Sequence, residues 1–207
     1  MRGIGEQVTM DWATFSRLAI EQLRRDRPDC RRIGFMGPPK DRLVFAAELQ
    51  HGGMAGVELE DWSYETYAEI IPGAGSRENC ARLLLEHKLA TAIAPVPEVL
   101  ISLQDDMTRG AITALYQAGK RPVHDLHIIT ADNAGSPLLQ TYAADLTMID
   151  FDPRELAQAM LEVLDRLLAG EPLPATPLAV PPRLRAGISA RQGNHISVTV
   201  TGHGLSA

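Results

Sequence analysis

Residues 99–133, VLISLQDDMTRGAITALYQAGKRPVHDLHIITADN, decide the fold. Val99 to Leu103 is a short apolar run of the kind buried in a parallel sheet. After an acidic turn, Met107, Ala111, Leu115 and Ala118 repeat at helical spacing until Gly119 closes the helix, with Asp105 or Asp106 as its N-cap. Leu126 to Ile129 is the next strand, and a crossover helix between two strands of one sheet makes them parallel. Both strands then end on the same edge, at Gln104-Asp105 and at Asp132-Asn133. Open α/β sheets bind ligands outside the carboxyl ends of their strands, so two acidic turns there point to a small-molecule site.

The same strand–turn–helix rhythm extends in both directions. Upstream, Val8 to Met10 reads as a short strand. From Asp11 a helix carries Phe15, Leu18, Ala19, Gln22 and Leu23 on one face and ends at Pro28. Ile33 to Met36 runs into Gly37-Pro38-Pro39 and a helix with Phe45, Ala46 and Leu49, stopped by Gly52-Gly53. Val57 to Trp62 and Tyr67 to Ile71 both read as strands. Ser76 then caps a helix whose inner face is Cys80, Leu83, Leu84 and His87. Downstream, Pro137 to Phe151 looks like a crossing segment. Asp152-Pro153-Arg154-Glu155 is a strong helix start, with Asp as cap, Pro in the first turn and Glu completing a capping box. Leu156, Met160, Val163, Leu164 and Leu167 form that helix's apolar stripe, and Gly170 ends it. Five prolines between Glu171 and Pro182 predict an extended segment, and Ile196, Val198 and Val200 alternate as in an edge strand. The fold class is α/β with mostly parallel sheets flanked by helices.

Composition narrows the function. A chain of 207 residues with 45% hydrophobic content can bury a real core. A net charge of -6 argues against an extended basic surface for DNA. Two cysteines, Cys30 and Cys80, are too few for a disulfide scaffold, so a reducing cytoplasm is expected. No stretch reaches the length of a membrane span, and MRGIGEQVTM lacks the apolar centre of a signal peptide.

The order of motifs resembles a family. The run SLQDDMTRGAITALYQAG, followed by RPVHDLHIITADN and SPLL, then LTMIDFDPRELAQAMLEVLDRLLAGEPL and PPRLRA, resembles the effector-binding core of LacI/GalR-type transcription regulators. The upstream run MDWATFSRLAIEQLRRDRPDCRRIGFMGPP is similar to the segment entering the C-terminal lobe in that family. The resemblance implies a periplasmic-binding-protein-like fold of two α/β lobes clamping a small-molecule effector, a sugar or related metabolite. It further implies a homodimer, and DNA contact through an N-terminal helix-turn-helix. That helix-turn-helix and the opening strands of the N-terminal lobe have no counterpart in these residues. Residues 1–190 would form the core, with a C-terminal lobe at about 13–134 and 176–190, an N-terminal lobe remnant at about 1–12 and 135–175, and a polar tail at 191–207. A shortened lobe is expected to leave a sheet edge or apolar patch for a partner to cover.

Six residues are candidates for effector contact. Asp132 falls where the family has an aspartate bonding effector hydroxyls; a carboxylate can accept from two adjacent hydroxyls at once. The competing role is a turn aspartate bonding its own backbone. Gln104 and Asp105 match the family's Asn-Asp pair, whereas a helix cap is the local alternative. Asp106 fits a first-turn carboxylate favoured by the helix dipole. Asp11 matches an aspartate at the lobe crossover, and it is also placed to cap a helix. Arg42 lies near the family's effector-contacting arginine, although alignment on Phe45 and Leu49 puts Asp41 there. Asp61-Trp62-Ser63 resembles the aromatic turn that stacks on sugars in some members, while a competing register puts Ala74 to Ser76 there and leaves Trp62 in the core.

Other chemistries find less support. Gly73-Ala74-Gly75 lacks the third glycine of a dinucleotide loop, leaving at most an anion at a helix start with Arg77. His124 and His127 face opposite ways on a strand, so zinc is not expected. Ser, His and Asp are too scattered for a triad. The reading calls for no cofactor, no metal, no catalytic residue and no membrane partner. Its alternatives are a stand-alone binding or interaction protein of the same fold without DNA contact, and an enzyme with only the general fold in its favour.

Overall fold

The computed structural model describes residues 7–63, 75–91, 96–122, 124–185 and 187. Strands and helices alternate as β1 (Val8–Met10), α1 (Trp12–Asp26), β2 (Arg32–Met36), α2 (Pro39–His51), β3 (Glu58–Asp61), α3 (Arg77–Thr91), β4 (Val99–Ser102), α4 (Asp105–Gln117) and β5 (His127–Asn133). A 3-10 turn at Gln140–Tyr142 leads to β6 (Thr147–Phe151), α5 (Pro153–Leu168), β7 (Leu178–Val180) and β8 (Arg183–Arg185). The expected strand at Tyr67 to Ile71, the loop at Gly73-Ala74 and the tail with Ile196, Val198 and Val200 lie outside the described residues.

Six strands form one sheet in the order β3-β2-β4-β5-β6-β8, parallel except for β8, which runs antiparallel to β6. Its central strands are apolar at successive positions because both faces are covered. Val99 and Ile101 join Phe15 and Phe45 in a core under α1 and α2, whereas Leu100, Ile128 and Met148 join Leu84 and Leu115 in a second core under α3 and α4. All of these are at most 1% exposed, and fully burying one such side chain stabilises by about 1.5–3 kcal/mol. Helices α3 and α4 approach closely at Gly110, where a Cβ would stand 2.0 Å from the Glu78 carbonyl oxygen.

A separate pair, β1 with β7, is parallel and is covered by α5 around Val8, Val163 and Val180. The segment 135–175 is therefore divided. Thr147–Phe151, expected to belong with the smaller lobe, is held in the larger sheet by its register from Ile129↔Thr147 to Asn133↔Phe151. Only α5 and the stretch leading from it to β7 lie with β1. The chain passes between the two units at Asp11, at Asp152 and between Val180 and Arg183. These crossings are tied together, since Asp11 N–H donates to the Val180 carbonyl at 2.9 Å and the Trp12 ring meets Phe151 edge-on at 5.0 Å.

Several local expectations change. Gln104, not Asp105 or Asp106, occupies the N-cap of α4, in extended backbone and without a side-chain cap bond. Ser76 caps α3 through Asn79 N–H, but the inner face is Cys80, Ala81, Leu84 and Leu85, with His87 exposed. Asp152 caps α5 by accepting from Arg154 N–H at 2.8 Å, while the Glu155 carboxylate pairs with Arg183 instead of closing a capping box. Of the predicted α5 stripe only Val163 is buried. Among the described residues no helix is long and apolar enough to cross a membrane.

Candidate functional site

The carboxyl ends of β4 and β5 are locked side by side before any side chain faces solvent. Ser102 Oγ donates to the Gln104 carbonyl at 3.0 Å, and the same carbonyl accepts from the Thr108 N–H and hydroxyl, each at 3.0 Å. The Thr108 hydroxyl also meets that of Thr130 at 2.7 Å, joining the first turn of α4 to β5. With the backbone of Gln104 so engaged, its side chain is left over; Gln104 Oε1 is buried without a hydrogen-bond partner among the described residues.

Asp132, next to last in β5, sits across from it. Its side chain is only 2% exposed; Oδ2 accepts from Arg185 at 3.2 Å, and Oδ1 has no donor among the described residues. Arg185 is shared, because it also grips both oxygens of Asp150 at 2.8 and 2.9 Å. Burial, reinforced by the charges of Asp150 and Asp105 and opposed by Arg185 and by the neighbouring Asn133 backbone N–H, pushes the Asp132 carboxyl up to about 6. Leaving a buried acceptor unpaired costs about 1–3 kcal/mol, so this oxygen is poised to take a donor.

These groups open onto a cavity of about 320 Å³. Gln104, Asp105 and Asp106, after β4, and Ala131, Asp132 and Asn133, at the end of β5, line it. Met10, Trp12, Leu103 and Phe151 make an apolar wall that includes two of the crossings between units. Arg77 stands at the rim, half exposed, with its guanidinium 3.1 Å from Asp106. Asp105 Oδ2 accepts a long bond, 3.4 Å, from Ser136. The lining combines hydrogen-bond acceptors with aromatic side chains, which suits a hydroxylated small molecule.

Three of the six sequence candidates, Gln104, Asp105 and Asp132, are thus brought together. Asp11 is not among the described residues lining the cavity, although its neighbours Met10 and Trp12 are. Both its oxygens are engaged by Thr14, accepting from the N–H at 2.9 Å and from the hydroxyl at 2.7 Å, as a helix cap requires. Arg42 lies apart on α2 with its Nε 4.0 Å from Asp61. Trp62 is corrected outright: it is fully buried, its indole N–H donates to Glu60 at 3.0 Å, and Lys88 lies 5.4 Å over the ring. The ring packs so near Gly34 that a Cβ there would stand 3.0 Å away, which makes Trp62 core and removes it from any stacking role. Sequence reasoning missed Trp12, Phe151, Asp150 and Arg185. Trp12 had a signal, as an aromatic directly after a helix cap at a crossing between units; nothing local set Arg185 apart from Arg183, two positions before it in the same strand.

Residues 20–190 match the family model described as a periplasmic binding protein-like domain. A comparison with curated proteins finds no match. Among solved structures, a LacI transcriptional regulator from a Rhodococcus species is 18% identical with a TM-score of 0.66, covering 87% of this chain and 64% of its own. A sugar-binding LacI-family regulator from Enterococcus faecalis is 18% identical with a TM-score of 0.64, over 88% of this chain and 64% of its own. A LacI-family regulator from an Arthrobacter species, solved with lactose, is 20% identical with a TM-score of 0.62, over 88% of this chain and 66% of its own. At these identities the likeness speaks for the fold, and the chain spans less than two thirds of each of those proteins.

Proposed function

The chain belongs to the periplasmic binding protein-like domain family, and from that premise we propose that it is the effector-sensing core of a LacI-type transcription regulator. In this reading a sugar or similar polar metabolite enters the cavity at the ends of β4 and β5, where Gln104, Asp105 and Asp132 accept its hydroxyls. The observation that carries it is Asp132: a carboxylate 2% exposed, one oxygen without a partner among the described residues, lining a cavity that Trp12 and Phe151 also line. The larger sheet with α1 to α4 is the C-terminal lobe, and β1, β7 and α5 belong to the other. Effector binding regulates by favouring one arrangement of the units, which requires unequal affinity for the two states. The working form is a homodimer in the cytoplasm, with DNA contacted by a helix-turn-helix that is not among these residues. No catalytic step is assigned to the chain.

A thermal-shift screen against common hexoses, pentoses and purine bases tests this. A saturable rise in Tm for at least one compound, lost in Asp132→Asn, is expected. No stabilisation by any compound, in protein that melts cooperatively, would defeat the reading. A second reading, a stand-alone interaction protein, is favoured by one feature, the exposed Leu161 and Leu168 of α5; binding of a protein partner without any response to metabolites would favour it.

A further inference from the structure

The effector reading leaves the charge of the ligand open, and the ion pairs around the cavity bear on it. Among the described residues three carboxylates line it, those of Asp105, Asp106 and Asp132. Arg77 is matched by Asp106 at 3.1 Å. Arg185 is a single cation between two carboxylates, Asp132 at 3.2 Å and Asp150 at 2.8 Å. Asp105 receives only the long Ser136 bond from a side chain, while Arg109 further along α4 is engaged by Glu78. Among the described residues the cavity therefore carries more negative than positive charge. A second, independent observation points to a ligand there: the nearly fully buried Asp132 side chain keeps one oxygen without a donor among the described residues.

We propose, resting on the effector reading, that the cavity selects a hydroxylated molecule bearing a protonated amine, such as a hexosamine, over neutral and anionic analogues. A hydroxyl satisfies the unpaired acceptor but leaves the charge; an ammonium supplies up to three donors and offsets one unit of it. The Trp12–Phe151 wall adds a π surface that attracts a cation. A phosphate or carboxylate would instead meet Asp105 and Asp132, with both nearby guanidinium groups already engaged.

The experiment is isothermal titration calorimetry of the intact chain with glucosamine, galactosamine and mannosamine, their parent hexoses, and the hexose 6-phosphates. At least one hexosamine should bind about tenfold or more tightly than its parent, the size expected for one additional charge pair near the surface. Asp132 is faced by Asp150 from β6, Arg185 from β8 and Asp105 from α4, and it titrates at about 6. Hexosamine affinity should therefore fall by about tenfold per pH unit below that value. Asp105→Asn should lower hexosamine affinity by more than hexose affinity and so shrink the preference for the amine, whereas Asp132→Asn should weaken both. Equal binding of hexose and hexosamine, or tighter binding of a 6-phosphate, overturns the charge inference and leaves the effector reading standing. Binding by none of these compounds overturns the inference; if the wider metabolite screen is also silent, the effector reading falls with it.

Discussion

Helices α4 and α5 are of similar length and both read as amphipathic in the sequence, yet their situations differ. Helix α4 buries seven of its thirteen residues between a sheet face and α3, whereas α5 buries one of sixteen, Val163. On α5, Leu161 and Leu168 are 59% and 79% exposed. The better capped helix is thus the less buried one. An apolar stripe records what a helix is built to cover, and it does not record how much of that cover lies within the described residues.

Substitutions in the two units put that contrast to the test. The largest effect is expected for Gly110→Ala. Its Cβ would collide with the Glu78 carbonyl, and separating α3 from α4 should cost about 3 kcal/mol, read as a lower urea midpoint at unchanged slope. A neutral result would mean that the large unit is as loosely packed as the small one.

Next is Asp132→Asn, with an effect on the order of 2 kcal/mol in the opposite direction. The carboxyl ionises at about 6 in the folded chain against an ordinary 3.8, so folding disfavours its charged form. The folded state takes up this proton first as pH falls, and the penalty, full above pH 6, declines between about 6 and 4. The variant should therefore melt above wild type at pH 7 and approach it near about pH 4. A gap that widens on acidification would contradict the assignment.

Val163→Ala should cost about 1–2 kcal/mol. Because its core is separate, hydrogen exchange should accelerate in β1, β7 and α5 while β4 and β5 keep their protection. Uniform acceleration would show that the two units unfold as one. Smallest is Leu161→Gln, expected to change stability by less than about 0.5 kcal/mol. Sedimentation of this variant tests the homodimer: loss of self-association assigns that flank to the contact, and an unchanged association state moves the contact elsewhere.

How far the sequence could be read depends on the range of each signal. The β4–α4–β5 unit was legible because a strand covered on both faces is a continuous apolar run, as in Val99-Leu100-Ile101, and because Gly119 ends the helix with φ of 67°. The cap role of Asp11 was legible through its own neighbourhood, its partner Thr14 lying three residues on. Trp62 was not, because the choice between a stacking turn and a core position depends on Gly34 and Lys88, which are distant in the chain. Pairing of β1 with β7, and of Asp132 with Arg185, joins residues far apart, and no local pattern encodes a partner at that distance. The acceptors of the cavity could thus be named in advance, while its aromatic wall and its counterions came only with the fold.

The three crossings between the units carry a mechanical consequence. A single linker would let one body tumble against the other, but here three spans are fastened to each other, by Asp11 N–H on the Val180 carbonyl and by Trp12 on Phe151. Two of them run straight into capped helices at Asp11 and Asp152, which leaves few torsions free to turn. Such a joint resists twisting and translation and yields most readily to bending, like a door on three knuckles. Since Trp12 and Phe151 also face the cavity, whatever lodges there bears directly on the hinge pin.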